Sequence, residues 1–134
     1  MLNRRIILVV IEVKILKAAE DYLETMLMLK EKHGYIRSID IAEERGVTKA
    51  SVSYSTTRLR ENGYITMDED SLITLTPLGM EIADRIYTRH KVLTDFLLKL
   101  GLDEQLAHDD ACRLEHDMSD ETFSAIRKHV ESMK

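Results

Sequence analysis

Between Ser38 and Gly63 the chain reads as two short helices joined by a tight turn, which leaves few folds open to it. Ser38 is expected to cap a helix over 39–45 that carries Ile41 and Ala42 inward and ends at Gly46. Thr48 caps a second helix over 49–62, stopped by Gly63. With only Gly46 and Val47 ahead of the second cap, the spacing is that of a helix-turn-helix. In the second helix Val52, Thr56 and Leu59 recur on one inward face. Thr48, Lys49, Ser51, Ser53, Tyr54, Arg58 and Arg60 are left at its start and outside. Hydroxyls and cations suit phosphates, and Tyr54 and Arg58 are long enough to reach base edges. An ordinary solvated helix face usually carries acids as well; here Glu61 is the one acid, at the far end. The helix therefore reads as a DNA-contact element.

The residues that follow support this. Segments 64–67 and 72–76 alternate apolar and polar with period two, and 68–71 supplies the turn, so a β-hairpin follows the second helix as in a winged helix. Its tip, Asp68-Glu69-Asp70, is acidic and should not be a strong phosphate contact. Thr76 and Pro77 then open a long helix that ends at Gly101, with an expected stripe of Leu78, Ile82, Ile86, His90, Leu93, Leu97 and Leu100. His90 stands in that stripe where leucine is expected. Lone histidines in such slots are more often satisfied core residues than ligands.

Upstream, 14–32 has helical periodicity, with Ile15, Ala19, Tyr22, Leu23, Met26, Leu27 and Leu29 on the apolar face and Gly34 as the stop. Asp21 and Glu24 share one flank of it, usually a sign of plain solvated surface. Residues 1–13 are set apart as an extension. Their apolar run, Ile6 to Ile11, is interrupted by Glu12 and Lys14, lacks a small-residue cleavage site, and is too short to span a membrane. It reads as a short β segment or an ill-placed start of translation.

Downstream, Asp103 caps an expected helix over 104–117, and Ser119 caps a last one reaching about residue 133. If the stretch 108–119 is helical, Ala107, Ala111, Leu114 and Met118 form the buried stripe. His108, Cys112, Glu115 and His116 then fall along the flank beside it. A thiol, a carboxylate and two imidazoles at this spacing are the donors of borderline transition metals. The competing reading is a solvated flank with one half-buried cysteine. Cys112 and His116 as nucleophile and base would lie on one helix flank without a substrate cleft, and no phosphate-binding glycine loop or catalytic serine motif is present.

Composition narrows the classes. Charged residues make up 32% and hydrophobic ones 44%, as in a globular protein, and one cysteine excludes an internal disulfide, which points to the cytoplasm. The net charge of −5 argues against nucleic acid only until its distribution is seen. Residues 1–67 hold 11 Lys and Arg against 9 Asp and Glu, whereas 68–134 hold 8 against 15. A basic face on an acidic protein is compatible with DNA binding.

Taken in order, these elements resemble the diphtheria-toxin-repressor family of metal-dependent transcriptional regulators, in its short branch without an SH3-like domain. The resemblance covers about residues 14–130. It rests on Glu20-Asp-Tyr-Leu-Glu24, Asp40-Ile-Ala-Glu43, Val52-Ser53, Gly63-Tyr64, Arg89-His90 and Asp110-Ala-Cys-Arg-Leu-Glu-His116. It implies a mostly α fold: a winged helix-turn-helix DNA-binding domain over 1–76, then an all-helical metal-binding and dimerisation domain over 77–134. It further implies that Asp21, Glu24, His90, Cys112, Glu115 and His116 hold a divalent metal, with His108 at an ancillary position. The expected metal is Fe²⁺ or Mn²⁺, with Co²⁺, Ni²⁺ or Zn²⁺ able to substitute. The chain departs from the pattern in having Cys112 where manganese-type members carry a carboxylate, Asp21 where iron-type members carry methionine, and Thr94 where an ancillary carboxylate is expected. The implied function is a metal-dependent repressor of metal-uptake genes: a homodimer on double-stranded DNA, with no enzymatic activity, membrane association or small organic ligand. A winged-helix regulator answering to a non-metal effector is the alternative.

Overall fold

The computed structural model describes residues 3–133, with side chains described outside 7–15. Two compact units divide the chain at 84/85, inside its fourth helix.

The first unit begins with α1 (Arg4–His33), α2 (Ser38–Arg45) and α3 (Lys49–Glu61). Strands β1 (Ile65–Met67) and β2 (Ile73–Leu75) follow, then the first turns of α4 (Pro77–Lys99). Its core holds Leu23 and Met26 of α1, Ile36, Ile41 of α2, Val52 of α3 and Ile65 of β1, all essentially without solvent contact. Each such side chain contributes about 1.5–3 kcal/mol relative to an exposed one. The helix ends follow local chemistry. Gly34 takes φ 83° and returns its N–H to the Lys30 carbonyl at 2.8 Å. The Thr48 hydroxyl accepts from the Ser51 N–H at 3.1 Å and so starts α3.

The wing is an antiparallel pair in register Ile65 with Leu75, Thr66 with Thr74 and Met67 with Ile73. Asp68 builds its turn, its side chain accepting from the N–H groups of Asp70 and Leu72 at 2.9 and 3.0 Å. Arg37 pairs with Leu72 in an isolated bridge, and the Ile73 N–H reaches the Ile36 carbonyl at 2.9 Å, so the segment before α2 lies along the hairpin. Thr76 ties the end of the wing to α4. Its hydroxyl donates to the Gly63 carbonyl at 2.7 Å and accepts from the Gly79 N–H at 3.1 Å. Gly79 packs so closely on Tyr64 that a Cβ would overlap the Tyr64 carbonyl oxygen.

In the second unit the remainder of α4 is followed by α5 (Glu104–Leu114) and α6 (Asp120–Ser132). Asp103 caps α5 through the Leu106 N–H at 3.2 Å, and Ser119 caps α6 through the Thr122 N–H at 3.1 Å.

Four details differ from the sequence reading. The extension is neither strand nor separate: α1 is helical from Arg4, with the Asn3 side chain accepting from the Arg5 N–H at 3.1 Å. A helix already nucleated downstream gains one hydrogen bond per added residue, which outweighs the few tenths of a kcal/mol that β-branched residues cost. Ile15 lies outside the residues whose side chains are described. Ser38 is the first residue of α2 rather than its cap; Arg37 caps it without a side-chain bond, its extended backbone set by the bridge to Leu72. Leu78 and Leu100 of the α4 stripe are exposed, and the buried positions run through Ala83, Ile86, Arg89, His90 and Leu93. Finally, α5 stops at Leu114, so Glu115 and His116 lie in the turn beyond it.

Candidate metal centre and DNA-contact face

The early end of α5 decides what the second unit can do. Leu114, expected in the core, is 43% exposed, and Glu115 is 1% exposed in its stead. A carboxylate is held out of water only when it is paired or serves as a ligand. The residue that brings Glu115 inward is Arg89 on α4. Its buried guanidinium donates to the Glu115 carbonyl at 3.0 Å and the Met118 carbonyl at 2.8 Å, and pairs with Asp120 at 2.6 Å. It also lies over the Phe123 ring at 5.4 Å. One cation thus satisfies the carbonyls of the turn between α5 and α6.

Donor side chains gather on this frame. His90 Nδ1 lies 2.9 Å from Glu115 Oε2, and His116 Nε2 lies 3.4 Å from Glu115 Oε1. On the other side, His90 Nε2 is 3.1 Å from His108 Nδ1, and the two rings meet edge-to-face. Cys112 Sγ stands 3.7 Å from His90 Nδ1 and 3.8 Å from His108 Nε2. One donor atom from each of His90, His108 and Cys112 can be chosen so that all lie within 4.8 Å of one another. Donors bound to one ion at 2.0–2.3 Å sit about 3–4.5 Å apart, so these residues fit a transition metal after a small contraction. Soft sulfur with imidazole nitrogen and carboxylate oxygen is a borderline-metal set.

The second unit therefore brings together His90, His108, Cys112, Glu115 and His116. Asp21 and Glu24 belong to the first unit, one turn apart on α1. Glu24 is buried, and Asp21 is 4.0 Å from the Arg45 guanidinium. Arg89 and Arg45 received no role from residue patterns. A cation three residues after Ile86, within the buried stripe of α4, was the available signal for Arg89. Arg45 offered none, since its partners lie 20 or more residues away.

On α3, Thr48, Lys49, Ser51, Ser53, Tyr54, Arg58 and Arg60 are all exposed, while Val52, Thr56 and Leu59 are buried as expected. Tyr54, at 64% exposure, is organised by its neighbour one turn on: Arg58 donates to its hydroxyl at 2.8 Å and lies 5.5 Å from its ring. The face stays cationic, and the acidic wing tip of Asp68, Glu69 and Asp70 is exposed.

Residues 14–71 match the model described as iron dependent repressor, N-terminal DNA binding domain. Residues 76–134 match the iron dependent repressor metal binding and dimerisation domain. The chain belongs to the iron-dependent repressor family, the diphtheria-toxin-repressor family of the sequence reading. As a member it is a metal-dependent transcriptional repressor with a winged helix-turn-helix domain and a helical metal-binding and dimerisation domain. It is 35% identical over 120 residues to an uncharacterised HTH-type transcriptional regulator of Methanocaldococcus jannaschii, covering 88% of this chain and 96% of that one. It is 33% identical to the HTH-type transcriptional regulator MntR of Lysinibacillus sphaericus over 115 residues, 86% of this chain and 83% of the relative. Among solved structures, a manganese-dependent transcriptional repressor in complex with manganese aligns with TM-score 0.74 and 31% identity. That alignment covers 84% of this chain and 52% of the repressor, so the chain spans about half the length of that family member. Among the described residues no helix is long and apolar enough to cross a membrane.

Proposed function

We propose that this family member senses a divalent transition metal, Fe²⁺ at least as well as Mn²⁺, and in response represses metal-uptake genes as a homodimer on an operator. The observation that carries the reading is the cluster of His90, Cys112, His108 and buried Glu115 held by Arg89. In the proposed ligand set Asp21 and Glu24 join His90, Cys112, Glu115 and His116, with His108 close enough to serve an ancillary position. A bound cation neutralises the carboxylates and links α1 to the helical unit. Within the protein, Arg89 positions Glu115, Glu115 orients His90, and α1 carries the signal toward α2 and α3. Coupling of this kind requires the ion to bind the DNA-competent state better than the other, so DNA must tighten metal binding by the same factor. Thr48, Lys49, Ser51, Ser53, Tyr54, Arg58 and Arg60 are assigned to the operator.

For the two-fold interface we propose apolar residues of the second unit, with Phe96, Leu97 and Leu106 among the candidates. Leu93, only 1% exposed within one chain, is not available; Leu106 carries apolar surface to solvent, and Leu98 and Leu100 join it. Calorimetric titration with Mn²⁺ and, anaerobically, Fe²⁺ tests the ligand set. Asp21→Ala and His116→Ala should each weaken binding at least tenfold with the helical signal unchanged, and parent-like midpoints would remove them from the set.

One observation favours the effector alternative. A cavity of about 380 Å³ lies against α1 and α3, lined by Tyr22, Tyr54, Arg58, Asn62 and Tyr64 among others. That is the size of a small-ligand site. Operator binding that ignores chelator would support it.

A further inference from the structure

Arg45, the last residue of α2, makes three contacts with one stretch of α1. Its Nη1 donates to the Thr25 hydroxyl at 3.3 Å, and its guanidinium lies over the Tyr22 ring at 4.5 Å. Its Nη2 stands 4.0 Å from Asp21 Oδ2. Thr25 is itself fixed, its hydroxyl donating to the Asp21 carbonyl at 2.9 Å. The Arg45 Nε is buried and has no hydrogen-bond partner among the described residues. The ring and the hydroxyl thus hold the guanidinium in place, and the carboxylate contact is the loosest of the three. Withdrawing Asp21 toward another cation would leave Arg45 where it is, 4 Å from where the carboxylate now lies.

We infer that Arg45 is a resident competitor for the Asp21 carboxylate and sets the metal concentration at which the protein responds. In the metal-free chain it offsets the Asp21 charge. In the loaded chain its fixed positive charge opposes the incoming cation. Both side chains are about a quarter to a third exposed, so solvent screens the effect and keeps it moderate. Arg45 is a positioning and threshold residue, not a ligand. The inference rests on the reading of Asp21 as a ligand.

The test is calorimetric titration of the full chain with Mn²⁺ in the parent, R45Q, R45M, R45K, D21A and the double variant D21A/R45Q. R45M keeps length and packing over Tyr22 and serves if R45Q folds poorly. The neutral variants should bind Mn²⁺ roughly 2- to 5-fold more tightly than the parent, the scale of a screened ion pair. R45K should return toward the parent midpoint, and R45Q should have no more than a twofold effect in the D21A background. A D21A that binds weakly, beside neutral variants with the parent's midpoint, overturns the role of Arg45 alone. A D21A with unchanged Mn²⁺ affinity overturns the ligand reading and this inference with it.

Discussion

Arg89 donates a 3.0 Å hydrogen bond to the main-chain carbonyl of Glu115, a residue 26 positions away. That bond, with its companion to Met118, ends α5 at Leu114 and turns the Glu115 carboxylate inward, where it meets His90 and His116. The donor side chains gathered in the helical unit are therefore arranged by a guanidinium, which is not itself a metal donor.

Arg89→Met should destabilise the folded chain by about 3 kcal/mol or more, because it leaves two carbonyls without their donor. Arg89→Lys should recover only part of this, since an ammonium cannot reproduce the planar fork. Urea unfolding of the metal-free protein measures the loss, and calorimetry with Mn²⁺ should show weaker binding in both variants. A stability within 0.5 kcal/mol of the parent, the range of plain surface changes, would reduce Arg89 to ordinary packing.

Tyr54→Ala and Arg58→Ala should weaken operator binding and leave metal affinity and dimerisation as they are, because both side chains project from the exposed face of α3. Loss of a phosphate contact lowers the salt slope by roughly one, and loss of a base contact costs about 1–3 kcal/mol at one position. Anisotropy at several salt concentrations separates the two. Parent-like binding by both variants would mean that α3 does not read the operator.

Gly79→Ala should destabilise the winged-helix unit by roughly 1–3 kcal/mol, the usual cost of forcing a group into filled space. The added methyl would meet main chain at Tyr64, which can yield only by moving the end of the wing. The shift in denaturation midpoint at constant slope is the measurement; an unshifted midpoint would show that the contact relaxes freely.

The legible parts of this fold are those fixed by neighbours in sequence. Thr48, Asp103 and Ser119 cap helices because each side chain needs only the N–H three residues on. The hairpin likewise follows from period-two alternation and the Asp68 turn. The illegible parts depend on distant partners. Helical extrapolation put Leu114 inside and Glu115 on the flank, and the Arg89 bonds to the turn reverse them. Ser38 lost its capping role to a bridge formed with the wing at Leu72. The second-unit donors were legible as residue types at a spacing, although two of them sit in a turn and not on the helix. In the sequence Asp21 and Glu24 carry no local signal beyond a shared flank, and there only the family resemblance proposes them as ligands.

Cys112→Glu should shift metal preference toward Mn²⁺, since replacing a soft thiolate by a hard carboxylate favours the harder ion. The measurement is the ratio of Fe²⁺ to Mn²⁺ midpoints for operator binding in parent and variant, under anaerobic conditions. An unchanged ratio would place Cys112 outside the ligand set.

The most direct test of the account is fluorescence anisotropy with DNA from upstream of the chain's own coding sequence, run in chelator and in saturating Mn²⁺ or anaerobic Fe²⁺. Tight, salt-sensitive binding of a dimer with metal, falling at least tenfold in chelator, is the predicted result. Equal affinity in chelator and in metal would contradict it.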